Sequence, residues 1–167
     1  MEKTFQTQCY DAEKILKNKL KIWFDKMKQF APFYVCEYLF HKNGAVAQML
    51  RVDPNYGFIY DPATLGEGIE NMFAVVEAAK KGNITRARNL YKRFGTPEIR
   101  VDYLRLIYDH CDIYHAIGED IIADLDEYAK TCTDPEFFEV LEGRKNNIRG
   151  RAKIEQKHIT DGGFGMH

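Results

Sequence analysis

No stretch of this chain approaches the roughly 18 consecutive apolar residues that a membrane-spanning helix requires, so no membrane association is expected. Cysteine is sparse and never closely paired. Cys9, Cys36, Cys111 and Cys132 stand singly, without the spacing of zinc or thioredoxin-like motifs, and are expected as reduced core residues. There is no G-x-S-x-G elbow and no cysteine-protease signature. Gly162-Gly163-Phe164-Gly165 lacks the lysine and the following helix of a phosphate loop. Met1-Glu2-Lys3-Thr4 runs straight into an amphipathic pattern without the apolar core of a secretory signal, which gives a cytoplasmic localisation as the expectation. With every motif route to catalysis closed, the chain is expected to be non-enzymatic and to carry no cofactor.

What is present is helical periodicity. Apolar residues at Phe5, Cys9, Ala12, Leu16, Leu20, Trp23, Met27 and Phe30 recur by threes and fours, predicting a long first helix over 4–30 that Pro32 then discourages. Asp61-Pro62, Thr96-Pro97 and Asp134-Pro135 each place a capping residue before a proline at the first helical position, where the missing N–H costs nothing. From Pro62 a stripe of Leu65, Ile69, Met72, Phe73, Val76 and Ala79 runs to a stop at Lys80-Lys81-Gly82. A second long helix is predicted over 97–132, where Leu104, Ile107, Cys111, Tyr114, Gly118, Ile121, Leu125, Tyr128 and Cys132 draw a coiled-coil-like seam. A glycine on such a seam marks a close crossing, so Gly118 is the expected point of tightest approach. The last helix is expected from Pro135 to about His158, on a weak stripe through Phe138, Leu141 and Ile148.

The run Ala79-Lys80-Lys81-Gly82-Asn83 followed by Ala87, Leu90 and Tyr91 resembles the second half of a tetratricopeptide-type helical hairpin. No second copy occurs at a matching period, and the resemblance implies a helix pair and nothing more. Residues 33–52 admit two readings, because Phe33 to Phe40 is apolar nearly throughout. Two short helices separated by Asn43-Gly44 are favoured, and a small β-hairpin turning at the same dipeptide is the alternative. The expectation is an all-α bundle of about five to seven helices in a single domain over 1–160, with a flexible Gly-rich tail at 161–167.

Charge is balanced overall at minus one but sorted along the chain. Residues 80–105 hold eight cations against two anions, whereas 109–142 hold eleven anions against Lys130 alone. One reading pairs these signs within the fold. A second takes Arg86, Arg88, Lys92 and Arg93, with Arg144, Lys145, Arg149 and Arg151, as a phosphate-contacting surface for nucleic acid. A third takes the acidic helix, through Asp120, Asp124, Asp126 and Glu127, as a surface for a protein partner such as a nucleic-acid-handling protein that it inhibits. Tyr56, Phe58 and Tyr60 beside Gly57 are candidate exposed anchors for that partner.

His115 stands at helical spacing from both Asp112 and Glu119, which raises a metal-dependent enzyme as a weaker reading. Carboxylate-bridged bundles need such a pair on two helices, and only one is present, so no metal is expected. The expectation is therefore a small binding or regulatory protein acting through a protein partner. Nucleic acid is the alternative partner, and association of the chain with itself is left open.

Overall fold

In the computed structural model the described residues are 14, 18–49, 52–53, 57–58, 62–104 and 110–160, with the side chains of 52–53, 57–58, 62–64 and 102–104 outside the description. The expected tail at 161–167 lies outside it too. Two compact units divide the chain, Met1–Glu67 and Gly68–His167.

In the first unit, α1 runs over 18–27 and buries Leu20, Trp23 and Met27, the three-and-four spacing anticipated for the first helix. A turn at 28–30 ends it, and the amino-terminal part of the predicted 4–30 helix lies outside the described residues, apart from a helical residue 14. Pro32 then caps α2 (Phe33–Phe40), its carbonyl accepting from the N–H groups of Val35 and Cys36 at 3.0 and 3.2 Å. Val35, Cys36, Leu39 and Phe40 form the buried stripe of α2, and Trp23 tilts against Phe40 at 6.1 Å between ring centroids.

The Asn43-Gly44 pair serves as a helix stop, so 33–49 is helix–turn–helix and the hairpin alternative over 33–52 is not formed. Gly44 donates its N–H to the His41 carbonyl at 2.7 Å. A Cβ on Gly44 would stand 2.6 Å from the Tyr38 carbonyl oxygen, which only glycine avoids. The short α3 (Ala45–Met49) follows and packs on α2. Among the described residues the only strands are β1 (Val52–Asp53) and β2 (Gly57–Phe58), antiparallel, with Val52 opposite Phe58.

α4 (Pro62–Lys80) passes through the boundary between the units. Its predicted stripe is buried throughout, with Val75 and Ala78 added. The stop forms as expected: Gly82 adopts φ +80°, its N–H reaching the Ala79 carbonyl at 3.1 Å and that of Asn83 the Ala78 carbonyl at 2.9 Å. Asn83 then caps α5 (Ile84–Arg93) through the Arg86 N–H. The Asn71 amide donates to the Leu90 carbonyl at 3.0 Å, joining α4 to α5 as the helix pair that the repeat-like run implied.

The predicted single helix over 97–132 is interrupted, and among the described residues it holds two helices. Thr96 caps α6 (Pro97–Leu104), residues 110–113 leave the α conformation, and α7 (Tyr114–Ala129) packs on α6. An unbroken helix would hold Arg100 and Asp124 about 36 Å apart, whereas their side chains meet at 2.8 Å. The apolar seam continues across the break because Cys111 and Ile113, though not helical, are fully buried. Asp134 accepts the Glu136 N–H at 3.0 Å to start α8 (Pro135–Thr160), so each of the three prolines singled out as first helical residues occupies that position. Gly118 is the close crossing anticipated for it: a Cβ there would lie 3.3 Å from Ile148 and 3.9 Å from Ala152 on α8.

Candidate binding surfaces

In the second unit α7 carries Asp120 and Asp124 at i, i+4 spacing on a face turned inward. Both carboxylates are buried, at 7% and 6% exposure. Arg88 on α5 grips Asp120 with two hydrogen bonds of 3.0 and 3.2 Å, and Lys92, one turn on, reaches the same carboxylate at 3.2 Å. Arg100 on α6 grips Asp124 at 2.8 and 2.9 Å, and the Tyr91 hydroxyl donates to the same carboxylate. The remaining donor arm of Arg100 reaches the carbonyls of Lys92 and Phe94 at 3.2 Å each, which closes the α5–α6 turn. The hydrogen bond to Asp120 raises the pKa of Arg88, and that to Asp124 the pKa of Arg100, so both stay charged.

The same pattern extends along α8. Lys145 bonds Asp126 at 2.8 Å and Glu142 at 3.3 Å, bonds that raise its pKa, with Asp126 the larger influence. Arg149 stands 3.7 Å from Glu119, and the Arg151 guanidinium lies over the Tyr114 ring at 4.5 Å. Glu127 is exposed and pairs with Lys130 at 3.0 Å. Thus Arg88, Lys92, Lys145 and Arg149 of the basic set meet acids within the unit, and Arg151 meets an aromatic ring. Arg144 is half-buried. Arg86 and Arg93 are exposed on α5 and enter no ion pair among the described residues.

His115 does not pair with Asp112 or Glu119. Its Nδ1 lies 2.8 Å from Glu155 Oε1 on α8, and its backbone N–H donates to the same oxygen at 3.1 Å. Both side chains are buried. Sequence reasoning missed Glu155, because nothing local marks a glutamate 40 residues away as the partner of a histidine. Among the described residues no group of three or more His, Cys, Asp or Glu is placed to hold a metal ion. A cleft of about 410 Å³ opens between α5, α7 and α8, with Arg88, Glu119 and Arg149 around Ile84, Ile122 and Ile148. Serine is absent from the whole chain, so a serine nucleophile is excluded.

The first unit presents the opposite arrangement. Tyr56 and Tyr60 lie outside the described residues, and of Phe58 only the strand backbone is described. The exposed anchors are on α2: Phe33, Tyr34 and Tyr38 show 61%, 74% and 64% of their surface to solvent. Phe33 meets the edge of Phe24 on α1 at 5.5 Å, and the Lys28 ammonium sits 5.0 Å from the Phe24 ring. Lys21, Phe24 and Lys28 follow one stripe of α1 by threes and fours, so lysines flank the aromatic face. The signal was in the run Phe33 to Phe40. Once it is a helix, burying residues 35, 36, 39 and 40 leaves Tyr34 and Tyr38 on the other side, with Phe33 exposed in the first turn.

Among the described residues no helix is long and apolar enough to cross a membrane. The chain matches no family model, no curated protein and no solved structure.

Proposed function

We propose that this chain is a non-enzymatic binding protein that works through a protein partner, and that its recognition surface is the aromatic face of α2. The supporting observation is the exposure of Phe33, Tyr34 and Tyr38 on one helix of eight residues. A Phe or Tyr side chain offers about 150–250 Å² of surface to cover, which is worth about 1.5–3 kcal/mol for each ring fully buried. Aromatic side chains of this kind dominate the energetics of protein interfaces, while lysines at the edge set orientation and encounter rate.

The acidic helix α7 is less suited to the task. Asp120 and Asp124 would have to leave Arg88, Lys92 and Arg100 before they met anything else. The nucleic-acid reading loses strength for the same reason, since Arg88, Lys92, Lys145 and Arg149 already face carboxylates.

The test is affinity capture of the tagged protein from cells, with nuclease, alongside Tyr34→Ala/Tyr38→Ala and Arg86→Glu/Arg93→Glu variants. The expected result is a stoichiometric protein that survives nuclease and the arginine changes and disappears with the two tyrosines. Capture abolished by nuclease and by the arginine changes, or turnover of a substrate by the purified chain, would overturn the proposal.

A further inference from the structure

The outward side of α8 has an order of its own. Val140, Gly143, Asn147, Gly150 and Ile154 recur by threes and fours and so share one face of the helix. That face lies opposite Ile148 and Glu155, the buried residues that meet Gly118 and His115 of α7. All five are exposed, Val140 by 55% and Ile154 by 59%. The same spacing reaches Glu136 one turn earlier and Lys157 one turn later, with Glu139 and Lys153 along one margin. These four charged side chains are exposed and enter no ion pair among the described residues. Their neighbours on α8 are already engaged. Glu142 pairs with Lys145 and Arg149 with Glu119, while Arg144 and Arg151, on the other margin, are half-buried and held within the chain.

The two glycines sharpen this picture. Glycine is among the least favourable residues in a helix interior. At Gly118 the nearness of Ile148 accounts for it, since a Cβ would stand 3.3 Å away. A Cβ on Gly143 or Gly150 would meet nothing within 4 Å among the described residues, so nothing in a single copy calls for glycine at either place.

We propose that α8 is a dimerisation helix, which crosses α8 of a second copy of this chain antiparallel at Asn147. Charge selects both the occupant and its direction. The face is acidic at its amino end and basic at its carboxyl end, so a parallel copy would set like charges side by side. An antiparallel copy sets Glu136 against Lys157 and Glu139 against Lys153, once at each end of the contact. In the same register Val140 meets Ile154 and leaves water, and Gly143 faces Gly150, where the absent side chains let the two backbones approach. Asn147 falls on the two-fold axis. Its amide both donates and accepts, so two copies can bond reciprocally there and fix the register.

Because each copy offers the same face, the contact is isologous and closes at two. Glu136 to Lys157 spans about 32 Å of helix, and one helix face of this kind belongs to the small, reversible class of contact. Salt should weaken it, since its charges are exposed. The aromatic face of α2 takes no part and stays open to its own partner.

Sedimentation velocity of the purified full chain, over a wide concentration range at low and high salt, tests the proposal with three variants. Gly143→Gln/Gly150→Gln fills the crossing with side chains for which a single copy has room, and it favours the helix. Glu136→Lys/Glu139→Lys makes both ends of the face basic. Glu136→Lys/Glu139→Lys/Lys153→Glu/Lys157→Glu exchanges the ends and restores the match. Circular dichroism first establishes that each is folded. The expected result is a monomer–dimer equilibrium for the wild type, weakened by salt. The glycine variant and the two-site charge variant should each dimerise roughly tenfold or more weakly. The four-site exchange should dimerise like the wild type, and Tyr34→Ala/Tyr38→Ala should leave the dimer intact.

A wild type that stays monomeric at every concentration would overturn the proposal, even if α8 then captured a different protein. A glycine variant that dimerises as tightly as the wild type would overturn it too, and that chain is the one least at risk of misfolding. Indifference to the two-site charge reversal would rule out the antiparallel register, as would a four-site exchange that fails to restore binding. Association lost with the two tyrosines and kept by every α8 variant would place self-contact on α2 and end this proposal, whereas a dimer lost with α8 alone leaves the reading of α2 to its own capture experiment.

Discussion

α7 and α2 contrast in where they send their polar and aromatic side chains. α7 is rich in carboxylates, and its inward face spends Asp120 and Asp124 on cations of α5 and α6. α2 is rich in aromatics, and three of them face water. Composition alone suggests the reverse, since acids are ordinarily solvated and large rings ordinarily buried. A charged helix whose charges are matched one by one is internal architecture. An aromatic helix with three of its four rings in water is what the proposed recognition surface rests on.

The deepest test of the inward half of this contrast is Asp124→Ala. It leaves the Arg100 guanidinium, itself only 12% exposed, facing the Tyr91 hydroxyl with no carboxylate between them. Removing one partner of a buried pair costs about 3–5 kcal/mol, so urea unfolding of this variant should show the largest loss in the series. Gly118→Val comes next, at about 1–3 kcal/mol, because even a first methyl already stands 3.3 Å from Ile148. Asp120→Ala should cost less, about 1 kcal/mol, since Arg88 and Lys92 are half-exposed and turn to water when released. If Asp120→Ala proved as damaging as Asp124→Ala, the two pairs would be equivalent, and exposure would not be what ranks them.

These pairs also show how far the fold was legible in the sequence. Local signals carried well: the prolines at 62, 97 and 135 begin helices, Gly82 ends one, and Gly118 marks the crossing with α8. The break between α6 and α7 did not, because the apolar seam from Leu104 to Cys132 keeps its spacing through Cys111 and Tyr114, although Cys111 is buried without being helical. Periodicity reports which residues face inward and is blind to a chain that folds back with its apolar side still inward. The sorted charges were visible as runs, yet the matching of Arg88 to Asp120 and Arg100 to Asp124 spans 32 and 24 residues. Such pairing is decided by topology, as is the meeting of His115 with Glu155.

Cys36 tests burial on the same helix that exposes its rings. Loss of hydration pushes its thiol above the ordinary value of 9.0, outweighing its own backbone hydrogen bond and the nearby Lys28, both of which act to lower it. A thiol raised in the folded state contributes stability in full below the unfolded value, and that contribution is lost as pH rises from about 9 through the folded value. Alkylation by iodoacetamide should therefore be slow at Cys36 in the native protein, faster at the half-buried Cys132, and unfolding midpoints should fall above pH 9. Equal labelling of Cys36 and Cys132 would mean that α2 opens readily, and its outward face would then be transient.

The smallest expected effect bears hardest on the outward half of the contrast. Tyr34 and Tyr38 are 74% and 64% exposed, so cutting each to alanine removes little that the isolated chain had covered. Alanine also favours the helix slightly over tyrosine, by less than about 0.7 kcal/mol for each site. Tyr34→Ala/Tyr38→Ala should therefore unfold within about 0.5 kcal/mol of the wild type in urea at low protein concentration. A Val35→Ala control on the buried side should lose more, about 1–3 kcal/mol. A tyrosine variant already destabilised in dilute solution would mean that these rings are part of the unit's own packing.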